Sequence, residues 1–194
     1  MKSTFKFLIL SLTAVVIITS CKKDDNESKK IIVKMGAQTN ATIGSFYSLS
    51  KNKVFTNDLA AANQDTIDFL CFYEHDVVNN RITDITLASP GANITGIFTG
   101  ESDPSTWTTK NLTKFQAPLF PITVEAFDLL DQNDATIESY FDNAVTSSNK
   151  KAKLLTADDI YAFKTQDNIY GLLKVISVGQ NADGYVEFEI KYKH

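Results

Sequence analysis

The chain has 194 residues, 43% of them hydrophobic and 22% charged, with a formal net charge of −4. That length carries one domain with a proper apolar core, and the acidic balance points away from nucleic acid, whose phosphates need a basic surface. Two cysteines and two histidines exclude a disulfide-built scaffold and a four-cysteine zinc site, and they leave little material for histidine-based catalysis.

Lys2 and Lys6 are the only charges before residue 22, and Phe7 to Ile18 is apolar apart from Ser11 and Thr13. That run matches a secretory h-region of ~7–15 residues and falls short of the ~20 needed to span a bilayer. Ile18-Thr19-Ser20-Cys21 follows at once. A branched apolar residue, two small residues and a cysteine resemble a bacterial lipobox. The resemblance implies that residues 1–20 are a lipoprotein signal peptide, cut before Cys21, with the Cys21 thiol and the new amino terminus acylated by palmitate-like chains. Two or three acyl chains hold a protein stably at a membrane where one holds it only marginally.

Residues 21–30 form a charged tether, Lys22 to Lys30 without one apolar residue, which has nothing to bury. Lys23-Asp24-Asp25 is similar to the short acidic export signal that follows the lipidated cysteine in Bacteroidetes-type surface lipoproteins. That resemblance implies an outer-membrane protein displayed on the cell surface.

Residues 31–194 read as one domain, with no linker composition and no convincing repeat. Ile31 to Met35 predicts a strand closed by Gly36, and Ser45–Leu49 with Lys53–Thr56 a hairpin over Ser50-Lys51-Asn52. Asn57 or Asp58 is the expected cap of a short helix through Leu59-Ala62. Thr66 to Tyr73 predicts a strand with Ile67, Phe69, Cys71 and Tyr73 on one face. Leu70 and Phe72 make its other face apolar, so it should lie centrally in a sheet. Ile82 to Ala88 is a further strand, ended by Ser89-Pro90-Gly91, and residues 99–121 are loop-like. Pro121 is placed to start a helix bearing Val124, Phe127 and Leu130. Asp134 is the expected N-cap of a second, with Ile137, Tyr140 or Phe141, and Ala144 on one face. Lys150 to Lys153 reads as a solvated helix end, with a basic patch for an anionic partner as the alternative. Three strands close the chain, Ile160–Thr165, Ile169–Val178 and Tyr185–Tyr192, joined by turns at Thr165-Asn168 and Asn181-Gly184. In the last, Glu187, Glu189, Lys191 and Lys193 alternate with apolar residues and predict a wet face. The expected class is α+β: mostly antiparallel sheet with one or two packed helices.

The chemistry-bearing residues are sparse. Cys71 and His75 at i, i+4 on a strand sit ~13 Å apart, too far for a nucleophile–base pair. Asp128, Asp131, Asn133 and Asp134 offer oxygens, but Ala135 and Thr136 break the calcium-loop pattern, and capping accounts for them. Asp65-Thr66-Ile67 matches a short O-glycosylation pattern. Trp107 in a loop of hydroxyls, with Tyr170 and Tyr185, makes the candidate ligand-binding aromatics, against a core-packing role for each. No cofactor and no metal is expected.

Leader and tether together resemble Bacteroidetes-type surface lipoproteins, and the rest resembles the uncharacterised domains they carry. The expected function is a non-catalytic binding or accessory module, attached to the membrane through its lipid, for a glycan or an envelope protein, without nucleic acid. The alternatives are a carboxylate-dependent hydrolase and a structural or adhesion protein.

Overall fold

Alternating apolar and polar residues form the strands, and antiparallel pairing assembles them. The computed structural model describes residues 29–76, 81–116, 122–144 and 147–193. Cys21, Lys23, Asp24, Asp25 and Pro121 lie outside the described residues, as does the side chain of His75. In chain order the strands are β1 (Ile31–Gly36), β2 (Phe46–Ser48), β3 (Lys53–Phe55), β4 (Phe69–Asp76), β5 (Arg81–Ala88), β6 (Lys114–Gln116), β7 (Lys151–Ala152), β8 (Ile160–Lys164), β9 (Tyr170–Gly179) and β10 (Tyr185–Lys193). Three short helices join them: α1 (Asn57–Ala60), α2 (Val124–Leu129) and α3 (Ile137–Asp142). One sheet has the order β1-β10-β9-β8-β6 and the other β3-β2-β4-β5-β7. The fold is α+β and mostly antiparallel, as its sequence leads one to expect.

The two sheets share a core. Met35, Tyr47, Phe69, Cys71, Leu87, Phe115, Phe163, Leu173 and Phe188 meet between them, all buried. Each such side chain contributes about 1.5–3 kcal/mol through the water it escapes. Phe163 lies across Gly171, its cross-strand partner. A Cβ at Gly171 would come within 2.1 Å of the Phe163 ring, so only glycine seats the aromatic there.

A second layer covers the outer face of the β4 sheet, where Leu70 and Phe72 meet Phe46, Phe98 and Trp107. β4 is therefore buried on both faces and lies in the middle of its sheet, as its unbroken apolar run requires. Ile67 packs in this outer layer, not with Phe69 and Cys71. The strand begins only at Phe69 because Asp68 turns the chain: its N–H donates to the Tyr47 carbonyl and its carboxylate accepts the Leu49 N–H at 2.8 Å. A third layer packs Phe127, Ile137 and Phe141 over Ala162 and Leu172 of the other sheet.

Several local expectations are corrected. Thr56 precedes α1, and the Asn57 amide donates to the Gln38 carbonyl instead of capping. Thr123 caps α2, accepting the Ala126 N–H at 3.1 Å. Asp134 binds the Thr136 N–H and hydroxyl, a turn that precedes α3 instead of capping it. The charged face of β10 is not wet throughout, since Glu189 and Lys191 are 2% and 3% exposed beneath α2 and α3. Lys114–Gln116, inside the expected loop, is a strand. Lys151–Ala152, read as part of a helix end, is strand β7, paired with Leu87 and Ala88.

Candidate functional site: a lysine-walled cleft at the sheet seam

The two sheets are stitched where β6 meets the residues leading into β7. Phe115 and Asn149 exchange both backbone hydrogen bonds, at 2.7 and 2.9 Å. Two residues later the same segment joins the other sheet through β7. A segment shared between two sheets cannot lie flat in either, and a cleft of about 690 Å³ opens beside it. This is within the size range of small-ligand sites. Phe115 and Ala92 contribute its apolar lining, Gln116 and Asn149 two amides, Tyr161 a phenol, and Lys150, Lys151 and Lys153 three ammoniums.

Each lysine is held. The Lys150 ammonium donates to the Gly91 carbonyl at 3.1 Å. Lys151 and Lys153 take opposite oxygens of one carboxylate, Glu74 Oε1 at 3.1 Å and Oε2 at 2.6 Å. Burial works against the Glu74 charge, but the Lys153 and Lys151 ammoniums outweigh it and hold the carboxyl below the ordinary glutamate range. Tyr161 donates its hydroxyl to the Lys153 carbonyl at 2.9 Å. Burial first, then the charges of Asp159 and Asp84, push its phenol up to about 12, so it remains a neutral donor and acceptor at physiological pH.

Asp84 is the cross-strand partner of Glu74, so two carboxylates do come together at this end of the sheet. They differ in access. Asp84 is 3% exposed and accepts the Leu154 N–H, fixing Leu154 in the left-handed region at φ 57°. Burial raises its carboxyl above the ordinary value against that hydrogen bond. Glu74 reaches a second hollow of about 350 Å³, with Lys151, Phe72, Asn93, Thr95 and Ile97; Asp84 lines neither opening. Three ammoniums line the opening itself, while Asp84 and Asp159, whose charges reach Tyr161, do not line it. The arrangement suits the reversible binding of an anion.

The other candidates lie elsewhere. Trp107 is 5% exposed, donates its indole N–H to the Glu101 carbonyl at 2.8 Å and packs 5.4 Å from Phe46. It pins its loop to the sheet. Tyr170 accepts a hydrogen bond from Lys164 at 2.5 Å and meets Phe141 edge-on. Tyr185 lies under Lys34, 4.0 Å from the ring centroid. Tyr170 opens β9 while Tyr185 pairs with Gly179 at its other end, about 30 Å away at strand spacing, so the aromatics form no common row. Cys71 is buried between the sheets, and burial pushes its thiol up. Asp128 is paired with Lys174. Among the described residues no group of three His, Cys, Asp or Glu side chains gathers at metal-binding distance, and no helix is long and apolar enough to cross a membrane.

The cleft's Gln116, Asn149 and Tyr161, and Glu74 behind its lysines, carry no motif that sequence reasoning detects. The lysine run was visible, but its placement on a strand at a seam was not.

No family model and no curated protein matches the chain. Among solved structures it is similar to a DUF4466 family protein from Parabacteroides merdae, with 13% identity and a TM-score of 0.48. The match covers 86% of this chain and 54% of that one, so the chain spans about half the length of that protein.

Proposed function

We propose that the chain is a lipid-anchored binding module of the outer membrane, displayed at the cell surface, and that the lysine-walled cleft is where it holds a glycan. The leader and the Lys23-Asp24-Asp25 stretch support the location through the resemblance they carry. The observation that carries the binding role is the cleft itself. Its amides, a phenol and ammoniums offer the convergent polar contacts that hydroxyl-rich ligands need, around an apolar floor. Among the described residues, Glu74 is paired with two lysines and its neighbour Asp84 is committed to the backbone, which supports binding over catalysis.

The test has two arms: the full precursor expressed in its host with labelled fatty acid, and the chain from Cys21 onward on a glycan array. Labelled fatty acid should enter the wild type and not Cys21→Ser. A glycan array should give saturable binding that is lost in Lys151→Met/Lys153→Met. A blank array with folded protein removes the binding role, and label in Cys21→Ser removes the anchor.

A further inference from the structure

Glu74 poses a question that the binding role leaves open. It lies between Lys151 and Lys153 with one oxygen on each ammonium, so the lysines already hold a carboxylate in bidentate fashion. Lys151 also lines both the 690 Å³ cleft and the 350 Å³ hollow, and the Lys153 side chain is 41% exposed. Glu74 comes from β4 and the lysines from the β7 segment, two strands that are not neighbours in the sheet order β4-β5-β7. The contact thus spans the width of β5 through long, flexible side chains. Glu74 and Lys151 are each only 25% exposed, so removing one partner and leaving the other charge unpaired would be costly. A competing anion can exchange with Glu74 when it brings a carboxylate that restores both contacts, so that neither ammonium is left unpaired.

Lysines on neighbouring positions repel one another, and a neutral ligand gives no return for that repulsion. An anionic ligand does. Lys150, 3.1 Å from a carbonyl instead of a carboxylate, stands as a further ammonium along the same wall with no acid partner of its own among the described residues. Three ammoniums on one wall offer more than one contact to a ligand with several charges.

We infer that the ligand of the cleft is an acidic glycan whose charge is carried by carboxylates, as in a uronic-acid chain, and that Glu74 is its built-in competitor for Lys151 and Lys153. This rests on the glycan-binding reading above. One sugar carboxylate takes the place of Glu74 between the two ammoniums, the next along the chain meets Lys150, and the ring hydroxyls face Gln116, Asn149 and Tyr161. Glu74 sets the threshold: a ligand with weak or absent charge does not displace it.

The test is calorimetric titration of the chain from Cys21 onward with a uronic-acid tetrasaccharide, its neutral counterpart of equal length, and a sulfated tetrasaccharide, at low and moderate salt. The uronic-acid chain should bind, weaken as salt rises, and lose about tenfold or more in affinity in Lys151→Met/Lys153→Met. Glu74→Gln should tighten it by about fivefold, because the competitor is removed while the side-chain shape remains. Melting temperatures of the variants close to wild type establish that binding, not folding, is read. Equal binding of the neutral tetrasaccharide overturns the acidic-glycan inference and leaves glycan binding standing. Preference for the sulfated chain overturns the carboxylate assignment. Weaker binding in Glu74→Gln overturns the competitor role. No binding of any of the three overturns this inference together with the reading beneath it.

Discussion

The two outer faces of the sandwich are covered by opposite means. Over β4 the cover is a loop with two short 3₁₀ turns, Gly100–Ser102 and Pro104–Thr106. It delivers Phe98 and Trp107 onto Phe46, Leu70 and Phe72. That layer is dry, and its indole N–H is satisfied by a backbone carbonyl. Over β9 and β10 the cover is α2 and α3, and the face beneath them carries Lys174, Glu189 and Lys191. Phe127 lies between the first and last of these, with ammoniums 4.9 and 4.7 Å from its ring centroid. Lys191 also donates to the Phe127 and Leu130 carbonyls at 2.8 and 2.5 Å, filling the orphan acceptors at the end of α2. Six-residue helices do not persist alone in water; here a strand lysine both caps one and balances Glu189. The lesson is that charge on a strand does not mark a wet face when the cover supplies carbonyls.

Breaking the dry layer should have the larger effect. Trp107→Ala removes the largest side chain of that cluster and its tie to Glu101, and should cost about 3–5 kcal/mol in urea unfolding. A loss below about 1 kcal/mol would mean that the loop layer is dispensable and the contrast false. On the charged face, Lys191→Met keeps the aliphatic stem but leaves two helix carbonyls without their donor and Glu189 with Lys30 and Lys174 in place of three ammoniums, at about 2–3 kcal/mol. Adding Glu189→Gln should return part of that loss, because the buried carboxylate that has lost one of its three ammoniums is then neutral. Strict additivity of the pair would show that the two residues do not depend on each other.

These differences explain what was legible in the sequence. β1, the β2–β3 hairpin, β4, β5 and the three C-terminal strands are long enough, or turn sharply enough, to show their period. Asn52, Asn168 and Asn181 adopt positive φ in the turns where asparagine suggests them. β6 and β7, with three and two residues, have no period to read; pairing with Phe163 and Leu87 makes them strands. The run Lys150 to Lys153 looks like a solvated end because nothing local reveals that Ala152 points into the shared core. The cleft was hidden for the same reason. Its walls come from four separated segments, and only the seam at Phe115 and Asn149 brings them together. Trp107, by contrast, was readable as a core residue from its type alone.

A third way of burying charge sharpens the comparison, with the smallest expected effect. Asp68 is buried at the head of β4, and among the described residues no ammonium pairs with it. Burial pushes its carboxyl up to about 6 from an ordinary 3.8, against the Leu49 N–H that it accepts and with the charge of Asp167 adding to the rise. The native state thus holds this proton more tightly than the unfolded chain does. Its contribution to stability is fully present below about pH 4, is lost as pH rises toward and through about 6, and is level above that. The shift corresponds to at most about 3 kcal/mol. In Asp68→Asn the side-chain carbonyl still accepts from Leu49, though as a weaker acceptor by about 1 kcal/mol. The variant should therefore be about 1–2 kcal/mol more stable than wild type at pH 7, and that advantage should vanish by pH 4. Paired unfolding curves at several pH values read the difference directly, since the other carboxylates titrate alike in both proteins. A gap that stays constant across the window would mean that Asp68 keeps its charge cheaply. Glu189, which needs three lysines within 4 Å, would then be the exception among the buried acids and not the rule.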